Sequence, residues 1–104
     1  MNEKKSVMLV VDGAGYVPKF GDTVYVIYEN GIYKEKVHSL GMTAFIVEGF
    51  TADTKPSFWQ WQYKDFGRLW FADLEQAQEE LLSRFTDDYE LVHYTNEWWE
   101  VEKV

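Results

Sequence analysis

Two histidines, four serines and a crowd of carboxylates are the side chains from which a reaction would have to be built, because the sequence contains no cysteine. His38 and His93 stand 55 positions apart, outside any His-x-x-x-His or His-Glu pattern, so they supply no metal pair. Asp87-Asp88-Tyr89-Glu90 offers hard oxygen ligands but lacks the glycine and the ligand spacing of a calcium loop. Ser6, Ser39, Ser57 and Ser83 sit in no nucleophile elbow, and the seven glycines are dispersed at turns instead of gathered into a phosphate cradle. A carboxylate pair for glycoside hydrolysis is made by the fold, and no residue here points to one. The expectation is a protein that is not an enzyme, with no cofactor and no metal.

Charge is distributed unevenly. The net charge is -8, yet residues 1 to 72 are neutral, with eight acids against eight bases. Residues 73 to 104 carry ten acids against only Arg84 and Lys103. Direct nucleic-acid binding needs cationic side chains to displace counterions from phosphate, so this pattern argues against it and favours a basic partner.

The element that carries the acidic segment is a helix. Leu74, Ala77, Gln78, Leu81, Leu82 and Phe85 recur with a 3.6-residue period, and Asp73 with Gln76 forms a capping box at the start. Burying the large apolar members contributes roughly 1.5 to 3 kcal/mol each, against about 1 to 2 kcal/mol per ordered residue in backbone entropy, so the helix must lie on a sheet. Phe66 to Phe71 reads as an apolar strand running straight into it. On the helix, Asp73, Glu75, Glu79 and Glu80 are relieved only by Arg84, although Glu75 and Glu79 repel at four-residue spacing.

The rest reads as strand and turn. Val7 to Val11 is a short edge strand, too brief and wrongly ended for a secretory signal. Thr23 to Tyr28 is β-branched and aromatic, and Asn30-Gly31 supplies a hairpin turn with positive φ at both central positions. Ile32 to Leu40 follows, its Lys34-Glu35-Lys36 interior implying a wet face or an edge position. Thr43 to Glu48 completes a meander, and Gly49 to Ser57 forms a polar loop. Phe58 to Tyr63 alternates, setting Phe58, Gln60 and Gln62 on one face and Trp59, Trp61 and Tyr63 on the other. Those three rings either fill the space under the helix or form an exposed platform for a sugar or peptide. Finally, Tyr89 to Tyr94 and Trp98 to Glu102 read as a hairpin. A three-residue loop, Thr95-Asn96-Glu97, sets His93 opposite Trp99 and Leu91 opposite Val101, whereas a two-residue loop mixes glutamates with apolar groups on both faces. The first register is preferred because it keeps Glu100 and Glu102 in water.

Lys19-Phe20-Gly21-Asp22-Thr23-Val24 resembles the opening of small SH3-like or Tudor-like barrels, in which Lys-Pro-Gly-Asp-x-Val starts the first long strand. The likeness covers about residues 18 to 50, with Phe20 in the place of proline. Tyr63 to Phe71 and the capped helix, with Glu75 and Ala77, are similar to a segment of small uncharacterised proteins of Firmicutes and their phages. That resemblance implies a fold and a mobile-element setting, and it assigns no functional residues.

The expected architecture is therefore α+β in one domain spanning residues 1–104: a bent antiparallel SH3-like sheet over about 7–50, a loop at 51–57, and a strand, amphipathic helix and β-hairpin over 58–104. The expected function is a non-catalytic, cytoplasmic protein-binding module whose acidic face mimics nucleic acid and docks on a basic, nucleic-acid-handling effector. Antidefence inhibitors of phages, anti-CRISPR proteins among them, share this size and charge, which is an analogy of class. The docking residues would be Asp73, Glu75, Glu79 and Glu80 on the helix and Asp87 and Asp88 at its exit. Glu90, Glu100 and Glu102 on the hairpin would join them, with Trp98 and Tyr94 as apolar anchors. The alternative is a small-ligand module that stacks a sugar or peptide on Trp59, Trp61 and Tyr63.

Overall fold

A computed structural model describes residues 17–50, 56–94 and 98–104. Strands β1 (Thr23–Tyr28), β2 (Gly31–Leu40), β3 (Ala44–Phe50) and β4 (Pro56–Gln62) lead to a single 3-10 turn, Tyr63–Asp65. Then come the two-residue strand β5 (Trp70–Phe71), helix α1 (Leu74–Leu82), and strands β6 (Tyr89–Tyr94) and β7 (Trp98–Lys103). The named strands pair antiparallel into one sheet path, β4-β3-β2-β1-β5, with the β6–β7 hairpin attached to β2. The class is thus α+β, mostly antiparallel strand with one α-helix among the described residues.

Two apolar clusters form on opposite faces of this sheet. Val24, Val26, Val37, Phe45, Val47, Tyr63 and Trp70 make the first. Ile27, Ile32, Phe71, Ala77, Leu81 and Val101 make the second, with Leu74, Leu82 and Phe85 of the helix stripe packed against it. Side chains alternate along a strand, so the even-numbered residues of β1 face the first cluster and Tyr25 and Ile27 face the helix. The helix begins where the sequence says it should. Asp73 accepts hydrogen bonds from the Glu75 and Gln76 amides, at 2.7 and 3.3 Å, which satisfies two of the amides that a helix start leaves unpaired.

Several expectations need correction. Strand β2 is no edge: it pairs with β1 on one side and with β3 and β7 on the other. The wet-face reading holds only for Lys34, Lys36 and His38, which are exposed, whereas Glu35 turns toward the first cluster with Tyr33 and Val37. The hairpin turn is centred one residue earlier than expected, on Glu29-Asn30, with Tyr28 opposite Gly31 and positive φ (55°) at Glu29. Gly31 answers a different demand. A Cβ there would meet the Tyr33 ring at 3.0 Å and the Trp99 carbonyl at 3.1 Å, so β7 packs closely over this glycine and a side chain would have to displace its neighbours by a few tenths of an ångström.

The apolar strand expected from Phe66 to Phe71 shrinks to Trp70–Phe71, because the chain first turns. Asp65 O accepts from the amides of Arg68 and Leu69, at 3.0 and 2.9 Å, which closes that turn. The expected Gly49 to Ser57 loop is shorter too, since Gly49 and Phe50 belong to β3 and Pro56 and Ser57 to β4. The aromatic ladder does not lie beneath the helix. Trp61 and Tyr63 pack on the first cluster, across the sheet from α1. The expected strand Val7 to Val11 and the loop Thr95-Asn96-Glu97 lie outside the described residues. The hairpin register nevertheless agrees, with His93 opposite Trp99 and Leu91 opposite Val101.

Candidate functional site

The faces of the sheet differ in charge, and the register decides which residue goes where. Val24 is opposite Glu35 and Val26 opposite Tyr33, which puts both β2 side chains on the face away from the helix. Gly31 is opposite Glu100 and Tyr33 opposite Trp98, which adds those two residues of β7. Glu90 pairs with Glu102 and Tyr94 with Trp98, so both edges of the hairpin contribute to the same face. Its strand acids are therefore Glu35, Glu90, Glu100 and Glu102. The strand bases Lys34, Lys36 and Lys103 all fall on the helix side, and among the described strand residues no lysine or arginine takes a position on the far face.

Aromatic rings frame this acidic face. Tyr28 and Trp59, each about half exposed, meet at 6.1 Å between ring centroids. Tyr94 stacks on Trp98 at 5.4 Å and an interplanar angle of 10°. The Tyr94 hydroxyl donates to the Glu102 carboxylate, and the Trp98 indole N–H donates to Glu100 Oε2 at 3.2 Å. These bonds hold two carboxylates against two rings, an arrangement suited to an incoming cation that contacts ring and carboxylate together.

Glu35 is the buried member of the set. Its side chain lies across Gly49, where a Cβ would fall 2.5 Å from Oε2, and its Oε1 is enclosed without a hydrogen-bond partner. Burial pushes its carboxyl from 4.5 up to about 7. The Tyr33 phenol is raised as well, first by burial and then by the charges of Glu100, Glu29 and Glu35 around it.

The eleven acidic and aromatic residues expected to dock a partner do not share one surface. Glu90, Trp98, Glu100 and Glu102 lie together on the far face. Helix α1, which carries Glu75, Glu79 and Glu80 behind the Asp73 cap, packs on the other side of the sheet. Glu80 is tied to Arg84, whose Nη2 lies 2.9 Å away. Asp87 and Asp88 are exposed at the helix exit, where the Thr86 hydroxyl donates to Asp88 Oδ1 at 2.8 Å and the Val104 amide donates to the Asp88 carbonyl. Sequence reasoning missed Glu35, Tyr33 and Tyr28, although the alternation of Tyr33, Glu35 and Val37 against Lys34, Lys36 and His38 was a legible signal.

The three-ring platform fares differently ring by ring. Tyr63 is 2% exposed and donates its hydroxyl to the Gly41 carbonyl at 2.9 Å. Trp61 is partly buried, with its indole N–H enclosed and unpartnered. Only Trp59 is open, and its companion is Tyr28. The histidines have apolar neighbours: His93 stacks on Trp99 at 4.8 Å, and His38 lies 4.9 Å from Phe58. No group of three or more potential metal ligands comes together among the described residues. No helix among them is long and apolar enough to cross a membrane. Comparison with known proteins adds no relative: no family model, curated protein or solved structure matches the chain significantly.

Proposed function

We propose that this protein is a non-catalytic binding module that docks on a basic partner through the far face of its sheet. The observation that carries the reading is the absence of strand lysine or arginine from the far face among the described residues. Glu35, Glu90, Glu100 and Glu102 lie there with Tyr28, Tyr33, Trp59 and Trp98, and Lys34, Lys36 and Lys103 lie on the other side with Glu48. Carboxylates set among rings provide attraction at a distance and apolar contact at close range, the combination that speeds encounter and then holds it. The helix acids would contribute to the long-range field and make no direct contact. A nucleic-acid-handling protein is the partner class proposed, since its own surface must be cationic to bind phosphate. The curled strand path, drawn round until Tyr28 of β1 touches Trp59 of β4, supports an SH3-like barrel as its frame. An antidefence role in a phage or mobile element remains part of this proposal by its size and charge.

Charge reversal separates the two acidic surfaces. Binding to basic nucleic-acid-handling proteins is measured for the wild type, for Glu100→Lys with Glu102→Lys, and for Glu75→Lys with Glu79→Lys. Reversal on the far face is expected to weaken binding by tenfold or more, and reversal on the helix by much less. Affinity is expected to fall as ionic strength rises. Affinity indifferent to salt, or equal losses from the two reversals, overturns the reading.

A further inference from the structure

Strand β4 ends the sheet path, and among the described residues its outer edge pairs with no strand. Natural edges of this length are usually blunted by a charge, a bulge or an internal proline. Here the segment Pro56–Gln62 carries no charged residue, its one proline stands at the first position, and its pairing with β3 runs without a register shift. Phe58, Trp59, Gln60 and Gln62 are all exposed. Among the described strands longer than two residues, β4 alone joins an uncharged sequence to a free edge, in a chain of net charge -8. Two copies of so acidic a chain repel overall, and this strand carries none of that charge.

The hydrogen-bonding direction of each residue follows from two contacts. The Tyr63 amide donates to the Thr43 carbonyl at 3.0 Å, continuing the β3–β4 register. Bonded pairs alternate in an antiparallel ladder, so Ser57, Trp59 and Trp61 direct their amides and carbonyls toward β3. Phe58, Gln60 and Gln62 direct theirs outward, and the Gln62 carbonyl accordingly accepts from the Trp70 indole, at 2.8 Å. The outward groups are thus symmetric about Gln60.

We propose that this edge is a homodimer interface, in which β4 of two copies pairs antiparallel about a two-fold axis through Gln60. In that register Gln60 exchanges both backbone bonds with Gln60 of the partner subunit, and the Phe58 carbonyl accepts from the amide of Gln62 of the partner subunit, the Gln62 carbonyl being held by Trp70 within its own subunit. Trp59 comes opposite Trp61 of the partner subunit on the far face, where opposed aromatic side chains contact directly. No carboxylate meets a carboxylate along the pairing. The area is modest: a half-exposed ring adds only part of the roughly 150 to 250 Å² an aromatic buries in full, so the interface belongs at the small end, below about 1,200 Å². The dimer is reversible and concentration-dependent.

Sedimentation of the full chain over a wide concentration range reads this directly, with a monomer–dimer equilibrium expected. Gln60→Lys, which sets two like charges face to face on the axis, is expected to weaken the dimer at least tenfold with an unchanged circular dichroism spectrum. Since the chain has no cysteine, Gln60→Cys introduces a single thiol whose two copies lie across a bonded pair, with Cα atoms about 5.5 Å apart, within disulfide reach. Oxidation is expected to link Gln60→Cys into a dimer and to leave Gln62→Cys monomeric, because position 62 faces Phe58 of the partner subunit. A monomer at every concentration, a dimer indifferent to Gln60→Lys, or equal cross-linking at positions 60 and 62 overturns the proposal.

Discussion

Glu35 Oε2 occupies the space where Gly49 would carry a side chain, 2.5 Å from an ideal Cβ position. The glycine is what lets a carboxylate lie flat against β3 on the inner side of the sheet. Gly49→Ala is therefore expected to drive the flexible end of Glu35 outward, at a cost of about 1 to 3 kcal/mol. Urea denaturation gives the cost, and a carboxyl NMR titration is expected to show the Glu35 pKa falling toward its ordinary value as it regains water.

The same carboxyl makes stability depend on pH. The unfolded chain releases this proton near 4.5 and the folded chain near 7. Between those values the folded state holds the extra proton, so stability from this group falls as pH rises through the window. Below it there is no penalty, and above it the penalty is complete, on the order of 3 kcal/mol. Glu35→Gln is expected to flatten this part of the profile and to exceed the wild type in stability above pH 7. Denaturation at pH 5 and pH 8 checks it: equal differences between the two proteins at both values would refute the assignment.

Asp73 accepts the first amides of α1 on an exposed turn. Asp73→Ala is expected to lower stability by about 1 kcal/mol, and Asp73→Asn by less, since asparagine also caps. Thermal unfolding monitored by circular dichroism resolves the two.

Tyr28 and Trp59 come from strands three places apart in the sheet order, so their contact measures how tightly the sheet curls. A double-mutant cycle with Tyr28→Ala and Trp59→Ala is expected to give a coupling of about 0.5 to 1.5 kcal/mol. Additive single effects would mean that the curl is held by the first apolar cluster alone.

Much of the frame was legible because periodicity and turn chemistry are local. Thr23–Tyr28 was read to the residue, the Asp73 cap was named, and the final hairpin fell in the one of two registers preferred for keeping Glu100 and Glu102 in water. What escaped was long-range. Lys34-Glu35-Lys36 left a wet face and an edge position both open, and the wet face holds for the two lysines; nothing nearby in sequence reveals that β7 will dock on Gly31–Tyr33 and remove the edge. The acidic segment looked like one surface for a similar reason. Ten carboxylates within thirty-two residues are close along the chain, yet the sheet stands between those on α1 and those on β6 and β7.

Lys34 and Glu35 are neighbours on the longest strand, so the polarity of each face is encoded in the alignment of β2 with its partners. A slip of one place would carry lysines onto the face that bears Tyr28, Trp59 and Trp98, and would move Glu35 off it. Residues Gly31–Tyr33, fastened to β1 on one flank and β7 on the other, stand guard against it. The charge of the face through which we propose that the protein binds is therefore held by the backbone register of β2.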